Sequence, residues 1–452
     1  MRNQDNRRDN QRDQSPAGAG PLIRETIVRE AGPKSPLWKR FLLVAGLGVT
    51  FGLSASLAML AGGRLFHGGA ETTPAYESVT FPQDDPGLST PPEDPGGSIR
   101  ESQTAPDPET TQCPEHEEAI RAYLEKNPPG AAEYQKMYQA LGAVVTGLNR
   151  SMVTVTSSTS DTDWFNLEYR RNTRTCGVIV AITSQEILIL TPAEALSGIT
   201  ETNPLRLTFG NGVSAAAYIK ETDRLSGLTV IAATKSNLSE TTQSYLQPIS
   251  LGNSYGNSIG QPVIALGGPL GYNRSVLYGM ISYIETEVQS ADANHRILHT
   301  NMPCREDSYG FLVNLEGELV GWMDADYFSN GMITAIGISS LKGTIESLSN
   351  GKSIGYLGIE GQTVTTEIME AMNFPQLGVY VTRCLDASPA LAAGLQSGDV
   401  IIELSEKPIA SMRDLQNCLR EMTSVQRVEL KALRASGGSY TVITFDVYLE
   451  RR

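Results

Sequence analysis

The sequence predicts a mainly β fold, with a mixed α+β part towards its C-terminal end and one membrane-spanning helix near its N-terminus. Between residues 149 and 348, short apolar runs such as CGVIVAIT and EILILT alternate with Gly- and Asn-rich turn signals. This spacing is typical of an all-β barrel or sandwich. Residues 352–450 instead mix strands with two helical stretches. Residues 41–63 form an uncharged apolar run that is long enough to cross a bilayer.

The first 63 residues predict a tail followed by a membrane anchor. Residues 1–40 are polar, show no apolar period and predict a disordered tail. The basic flank Trp38-Lys39-Arg40 places this tail in the cytoplasm, because basic residues favour the cytoplasmic side of a membrane helix. The later domains would then lie outside, in a single-pass protein of the cell membrane. The alternative is a cleaved signal peptide, against which the length of the 41–63 run and the long tail before it both argue.

Residues 64–135 separate the anchor from the folded part. Much of this segment is rich in Pro, Gly, Ser, Thr and acidic residues, as in YESVTFPQDDPGLSTPPEDPGGS. Such a composition cannot bury a core, and it predicts an extended acidic stalk. From Pro114 to about Leu148 the pattern becomes helical with a Pro-Pro-Gly break, which predicts short helices that lead into the first folded domain.

The composition argues against several classes of function. A net charge of −14 argues against a nucleic-acid partner, which requires a basic face. The five cysteines form no C-x-x-C pair, so their spacing does not indicate a zinc site. The sequence therefore predicts no nucleic-acid partner, no metal site and no cofactor.

The segment EDSYGFLVNLEGELVGW places Ser308 in a polar turn before a predicted hairpin. A reactive serine needs a base, a group that orients the base and donors for the oxyanion. The base is usually histidine, and the chain has four: His67, His116, His295 and His299. The first two lie in or beside the stalk, and the other two lie near the strand that leads to Ser308. On the residues alone, Ser308 is a serine without a base.

Several separated blocks, in the same order, resemble the HtrA (DegP-type) serine proteases. DSYGFLVNLEGELVG resembles the nucleophile segment G-N-S-G-G-P-L-V-N, and VIALGGPLGYNRSVLYGMIS resembles the segment before it. CGVIVAITSQEILILTPAEALSG and ETDRLSGLTVIAA resemble the segments that carry the histidine and the aspartate. GYLGIEG and GVYVTRCLDASPALAAGLQSGDVIIELSEKPI resemble the PDZ domain. The resemblance implies a trypsin-like double β-barrel over residues 136–348 and a PDZ domain over residues 352–450.

The resemblance also implies where catalytic groups would stand, and most of these positions are changed. The nucleophile falls on Ser308, the base on Glu194, the orienting acid on Gly227, the oxyanion-loop glycine on Glu306 and the next glycine on Tyr309. Asp223 lies four residues before Gly227 and would need a shifted loop to substitute for the orienting acid. A glutamate, with a reference pKa of about 4.3, is a much weaker base than imidazole toward a serine hydroxyl. A side chain at Glu306 crowds the place where an oxyanion must form.

Two functions are consistent with this pattern. In the first, the chain is a membrane-anchored pseudoprotease that binds unfolded or C-terminal peptide segments of envelope proteins, as a scaffold, sensor or chaperone. In the second, it is a weakly or conditionally active serine endopeptidase of envelope protein quality control that uses Ser308. By analogy with the family, the resemblance also implies a homotrimer.

The peptide groove would lie in the PDZ domain. GYLGI resembles the carboxylate-binding loop of the family, which implies peptide contacts at Tyr356, Leu357, Gly358 and Ile359. Leu415 and Leu419 on the predicted helix 412–422 would line the groove, or would instead belong to the domain core. The arginine that often precedes the loop is replaced by Ile354, which predicts weak carboxylate binding.

Overall fold

The computed structural model describes residues 77–86, 130–162, 168–196, 205–324, 327, 331–422 and 426–452. These residues all belong to one compact unit, Tyr76–Arg452. The predicted tail, the predicted span 41–63 and most of the predicted stalk lie outside the described residues. Among the residues that are described, no helix is long and apolar enough to cross a membrane.

The first barrel follows helix α1, Ala131–Leu148. Its strands are β1 Met152–Thr162, β2 Glu168–Ile182, β3 Glu186–Pro192, β4 Leu205–Phe209, β5 Ser214–Asp223 and β6 Leu228–Thr234. They close in the order β1-β2-β3-β6-β5-β4. Period-two patterning explains the barrel wall, because Leu205, Leu207 and Phe209 of β4 point into the interior while Arg206 between them is exposed.

The second barrel follows a short helix, α2 Glu240–Tyr245. Its strands are β7 Pro262–Gly268, β8 Ser275–Ser290, β9 Ala293–Pro303, β10 Tyr309–Val313, β11 Leu319–Met323 and β12 Met332–Gly337. They close in the order β10-β11-β12-β9-β8-β7. One apolar cluster joins the barrels and includes Val178 and Leu190 of the first with Leu266, Phe311 and Trp322 of the second. The predicted trypsin-like double barrel is confirmed.

Helix α3, Ile338–Ser349, follows the second barrel, and ten residues of the predicted stalk lie against it. The backbone N–H of Val79 donates to Asn350 Oδ1 at 2.8 Å, and Lys342 Nζ lies 2.7 Å from Asp84 Oδ2 in a nearly buried ion pair. Residues 77–86 are therefore part of the folded unit, which corrects the prediction of an extended stalk for these ten residues. Their polar groups find partners on α3, which the composition of the segment did not reveal.

The PDZ domain follows α3. Its strands are β13 Gly355–Tyr356, β14 Ile359–Thr363, β15 Val379–Cys384, β16 Val400–Leu404, β17 Lys407–Pro408, β18 Arg427–Ser436, β19 Ser439–Tyr448 and β20 Glu450–Arg451. Its helices are α4 Thr366–Met372, α5 Pro389–Ala393 and α6 Met412–Glu421. The main sheet has the order β14-β15-β16-β18-β19, and β13 pairs with β20. Ser411 is the N-cap of α6, because its side chain accepts a hydrogen bond from Asp414 N.

Candidate functional site

Ser308 closes a tight turn immediately before β10. Its Oγ donates a 2.7 Å hydrogen bond to Pro269 O and accepts one of 2.8 Å from Arg305 N. Its backbone N–H donates to Arg305 O at 3.1 Å, and the residue is only 6% exposed. The hydroxyl and the N–H of Ser308 are therefore both bound to main-chain atoms.

The residues at the oxyanion-loop position face solvent. Glu306 is exposed, and on either side of it Arg305 Nε and Asp307 Oδ1 form a 2.9 Å ion pair. The hydrogen bond from Arg305 lowers the pKa of Asp307. Because the N–H of Ser308 is bonded to Arg305 O, this loop does not hold that N–H free to receive an oxyanion.

Tyr309 fills the space between the two barrels next to Ser308. Its ring lies over Gly268, where an added Cβ would come within 2.3 Å of Tyr309 Cζ. Its hydroxyl donates to Arg174 O of β2 at 3.4 Å, so the side chain reaches from the second barrel to the first. Burial raises the pKa of the Tyr309 phenol. A glycine at this position would leave the space open.

The positions of the base and of the orienting acid lie next to each other on the first barrel. Glu194 falls in a 3₁₀ turn, Ala193–Leu196, that follows β3. Gly227 precedes β6 with φ +61°, and its carbonyl accepts a 2.8 Å hydrogen bond from Ala193 N. The side chain of Glu194 lies outside the described part of the chain. A main-chain hydrogen bond thus joins the turn that contains Glu194 to Gly227.

Asp223, the substitute for the orienting acid that the sequence offered, already has partners. Its Oδ1 accepts hydrogen bonds from Arg452 Nε at 2.9 Å and from Leu225 N at 3.2 Å. Its Oδ2 accepts a hydrogen bond from Ser226 Oγ. The residue is 1% exposed, and its carboxylate joins the first barrel to the end of the PDZ domain.

The described residues include two of the four histidines, and both lie on β9. The ring of His299 lies 3.4 Å from Glu285 Oε2 through Nε2 and 3.4 Å from Thr334 Oγ1 through Nδ1. His295 is 3% exposed, and burial lowers its pKa to about 4. The described hydrogen bonds of the Ser308 hydroxyl go to main-chain atoms and not to these rings.

The loop at GYLGI binds a carboxylate, and that carboxylate belongs to the chain itself. The backbone N–H groups of Leu357, Gly358 and Ile359 donate to the two oxygens of Asp292 at 2.8–3.0 Å. Asp292 stands at the tip of the β8–β9 hairpin of the second barrel and is fully buried. Burial raises the pKa of the Asp292 carboxyl, while the three N–H groups and Arg452 act in the opposite direction.

Gly358 allows this loop to close. Its φ is +82°, and an added Cβ would lie 2.3 Å from the Cβ of Ser388 and 2.8 Å from the ring of Tyr356. Both the backbone angle and the close approach require glycine. Tyr356 lies in β13 and packs over this glycine, which supports the shape of the loop without contributing an N–H group to it.

A cavity of about 650 Å³ lies where α6 of the PDZ domain faces the β8–β9 hairpin and α3. Thr363 of β14, Met412 and Leu419 of α6, and Asn294 of β9 are among the residues that line it. Leu415 does not line the cavity, because it packs fully into the PDZ core. Leu419 belongs to the same core and is 1% exposed, but it also borders the cavity, so of the two helix candidates only Leu419 is among the lining residues.

Two family profiles match the chain, in the order that the structure shows. The profile described as "Trypsin-like peptidase domain" matches residues 175–321, and "PDZ domain" matches residues 355–446. The "Periplasmic serine endoprotease DegP" of Escherichia coli (strain K12) is 30% identical over 197 residues, which are 42% of this chain and 42% of that protein. The chain is a homologue of the DegP-type (HtrA) serine proteases.

The HtrA homologue spans about half the length of the curated relatives that it matches. The "Probable serine protease do-like" of Buchnera aphidicola subsp. Acyrthosiphon pisum is 26% identical over 244 residues, 52% of this chain and 50% of that protein. Among solved structures, "HtrA-type protease AlgW with decapeptide" aligns with 69% of this chain and 98% of its own, at 20% identity and a TM-score of 0.46.

Two residues that matter to the sites of this HtrA homologue were not among the sequence candidates. Pro269 accepts the hydrogen bond of the Ser308 hydroxyl, and Asp292 occupies the PDZ loop. Asp292 lies in the turn signal SADANH, which predicts a hairpin tip. Its partner is 65 to 67 residues further along the chain, so no local pattern could have identified the contact.

Proposed function

We propose that this HtrA homologue is a pseudoprotease which binds extended peptides through its PDZ groove. The observation that carries the proposal is the double engagement of the Ser308 hydroxyl by Pro269 O and Arg305 N. Peptide segments with a free C-terminal carboxylate, such as those of unfolded envelope proteins, are the ligands that fit the groove. The role is that of a scaffold, sensor or chaperone.

Loss of catalysis is supported by what surrounds Ser308. A serine hydroxyl reacts when a base accepts its proton, and here the acceptor is the carbonyl of Pro269, which has no basic function. The N–H that would stabilise an oxyanion donates to Arg305 O. Removing a single oxyanion donor costs about 10²–10³ in rate, and losing the base of a triad costs about 10⁶, so either defect would strongly reduce proteolysis.

Peptide binding is supported by the chemistry of the loop. Three convergent N–H groups, from Leu357, Gly358 and Ile359, form a carboxylate site, and a cavity lined by Met412 and Leu419 of α6 lies beside it. An extended peptide could add to the edge of β14 by main-chain hydrogen bonds.

The proposal includes a location outside the cytoplasm. The uncharged run 41–63 after a basic flank would anchor the chain to the cell membrane and place the barrels and the PDZ domain in the envelope. The DegP of Escherichia coli is named a periplasmic endoprotease, which agrees with this orientation.

Inactivity is tested with the unmodified chain and its Ser308→Ala variant, measured for cleavage of unfolded casein and for labelling by a fluorophosphonate probe. Equal cleavage rates and absent labelling are expected. Labelling of Ser308, or casein cleavage that the variant loses, would favour the conditionally active endopeptidase and refute the pseudoprotease.

Peptide binding is tested by titrating the full-length chain with peptides that end in apolar residues. A free C-terminal carboxylate should give weak, saturable binding, and the matched C-terminal amide should bind less tightly. Equal binding of acid and amide would show that the loop does not recognise a carboxylate.

A further inference from the structure

We propose that the β8–β9 hairpin of the second barrel is an internal ligand of the PDZ groove, and that an external peptide binds only when Asp292 withdraws. This inference rests on the proposed peptide-binding function and concerns the regulation of that site.

Asp292 takes the place that a C-terminal carboxylate would take. Its Oδ1 accepts from Gly358 N at 2.8 Å and from Ile359 N at 2.9 Å, and its Oδ2 accepts from Leu357 N at 2.8 Å. The donors of the loop are thereby used. A second carboxylate would lack donors and would meet a like charge at short range, so the two carboxylates exclude one another.

The main chain and the neighbouring side chains of the hairpin also follow the groove. Asp292 N donates to Ile359 O at 2.8 Å, as the main chain of an added peptide strand would. The amide of Asn294, oriented to donate, lies 3.1 Å from Gly361 O. Thr382 Oγ1 donates to Gln289 Oε1 at 2.6 Å. The contact therefore extends along β14 and β15 and is not limited to one carboxylate.

The turn geometry directs the Asp292 carboxylate at the loop. Ser290 pairs with Ala293, which leaves Ala291 and Asp292 as a two-residue hairpin turn. Asp292 has φ +56°, and aspartate is one of the few residues besides glycine that tolerate this left-handed region. Asp292 thus completes the hairpin turn and also supplies the carboxylate that binds the PDZ loop.

The hairpin lies along the groove and leaves a space beside it. A cavity of about 650 Å³ lies between the hairpin, α3 and α6, and Asp292 is among the residues that line it. A peptide could therefore occupy this space once the hairpin has moved, with its last carboxylate on the N–H groups that Asp292 releases.

A tethered ligand acts at an effective concentration in the millimolar range for short links. The apparent affinity for an external peptide equals the affinity of the open groove multiplied by the fraction of molecules in which the groove is open. A groove open in one molecule in ten would bind the peptide about tenfold more weakly than a groove without the internal carboxylate.

The test uses the full-length chain and a fluorescein-labelled peptide that ends in Ala-Leu-Val-Ile with a free carboxylate. Asp292→Asn keeps the shape and removes the charge, and Asp292→Gly suits the positive φ and removes the side chain. Both variants should bind the peptide at least tenfold more tightly than the unmodified chain. Glu406→Gly is the matched control, because Glu406 is an exposed acid with φ +64° in the turn between β16 and β17 and does not line the cavity; its affinity should not change.

The outcomes separate this inference from the function on which it rests. Equal, carboxylate-dependent binding by all four proteins would leave peptide binding standing and overturn the internal ligand. Binding by none of them would remove the peptide-binding function and the inference with it. Hydrogen exchange on the unmodified chain is independent of how well the variants fold: saturating peptide should increase exchange across residues 286–295, and unchanged exchange with bound peptide would overturn the inference.

Discussion

Ser308 and Pro269 are joined by a 2.7 Å hydrogen bond in which the serine hydroxyl donates and a buried main-chain carbonyl accepts. The same hydroxyl accepts from Arg305 N, so it holds two loops together at the edge of the second barrel. Ser308, which the family resemblance places at the nucleophile position, thus ties the turn before β10 to the loop after β7. Four predictions test this and related features of the molecule.

Ser308→Ala should lower the free energy of unfolding by about 1–3 kcal/mol, because the buried carbonyl of Pro269 and the N–H of Arg305 lose their partner. Urea denaturation measures the change. Ser258→Ala, at an exposed loop serine, is the control and should stay within about 0.5 kcal/mol of the unmodified chain. A Ser308→Ala variant as stable as this control would contradict the structural role.

Restoring the histidine and the aspartate, as Glu194→His with Gly227→Asp, should recover little or no casein cleavage. The hydroxyl and the N–H of Ser308 stay bound to main-chain atoms, and Tyr309 still fills the space between the barrels. Casein cleavage by the double variant is compared with cleavage by the same variant that also carries Ser308→Ala. Robust serine-dependent cleavage by the double variant would show that the loop rearranges more easily than its hydrogen bonds imply.

Arg452→Met should destabilise the chain by about 3 kcal/mol, because it leaves the buried carboxylate of Asp223 without its cation. Adding Asp223→Asn should recover part of the loss, since the two residues are coupled. The control is Arg427→Met, which breaks an exposed pair with Asp446 and should cost about 0–1 kcal/mol. Equal losses for the two arginine variants would argue against the buried pair.

Stability should fall as the pH drops below about 6.5, because His295 stays neutral in the folded chain, where burial lowers its pKa to about 4. The unfolded chain then binds a proton that the folded chain does not, and between pH 7 and pH 5 the loss is about 2 kcal/mol. Arg452 adds to the lowering of the pKa and Asp223 opposes it.

Denaturation of the His295→Gln variant at both pH values measures this effect. The variant should lose less stability on acidification, whereas His299→Gln should follow the unmodified chain. An identical pH dependence in all three proteins would exclude His295 as the cause.

The architecture was largely predictable from local patterns. Short apolar runs with turn signals gave the strands of both barrels, and the resemblance of separated blocks gave the double barrel and the PDZ domain in order. The cap of α6 at Ser411 was also predictable, because an N-cap depends on residues within one helical turn. The packing of residues 77–86 against α3 was not predictable, because their partners there lie more than 250 residues away in the chain.

The family resemblance assigned candidate roles to Ser308, Glu194 and Gly227 but gave no information on their contacts. The residue at the base position that the resemblance implies is a glutamate. The hydrogen bond from the Ser308 hydroxyl to Pro269, 39 residues away, depends on how the loop after β7 meets the turn before β10. The rotation of α6 against the sheet decides that Leu415 lies only in the core and that Leu419 also lines the cavity.

The sequence by itself therefore determined the order of the barrels and the PDZ domain, and it has a glutamate at the base position that the family resemblance implies, because periodicity and residue identity are local properties. Only the tertiary structure decided that Ser308 is bound by main-chain groups and that Asp292 occupies the carboxylate loop at Gly358. Both contacts join segments that are far apart in the chain. Ser308 meets Pro269 when the second barrel closes, and Asp292 meets Gly358 when the PDZ domain packs against that barrel. A buried carboxylate goes where unpaired N–H groups can satisfy it, and which N–H groups it reaches is set by the packing of the two domains.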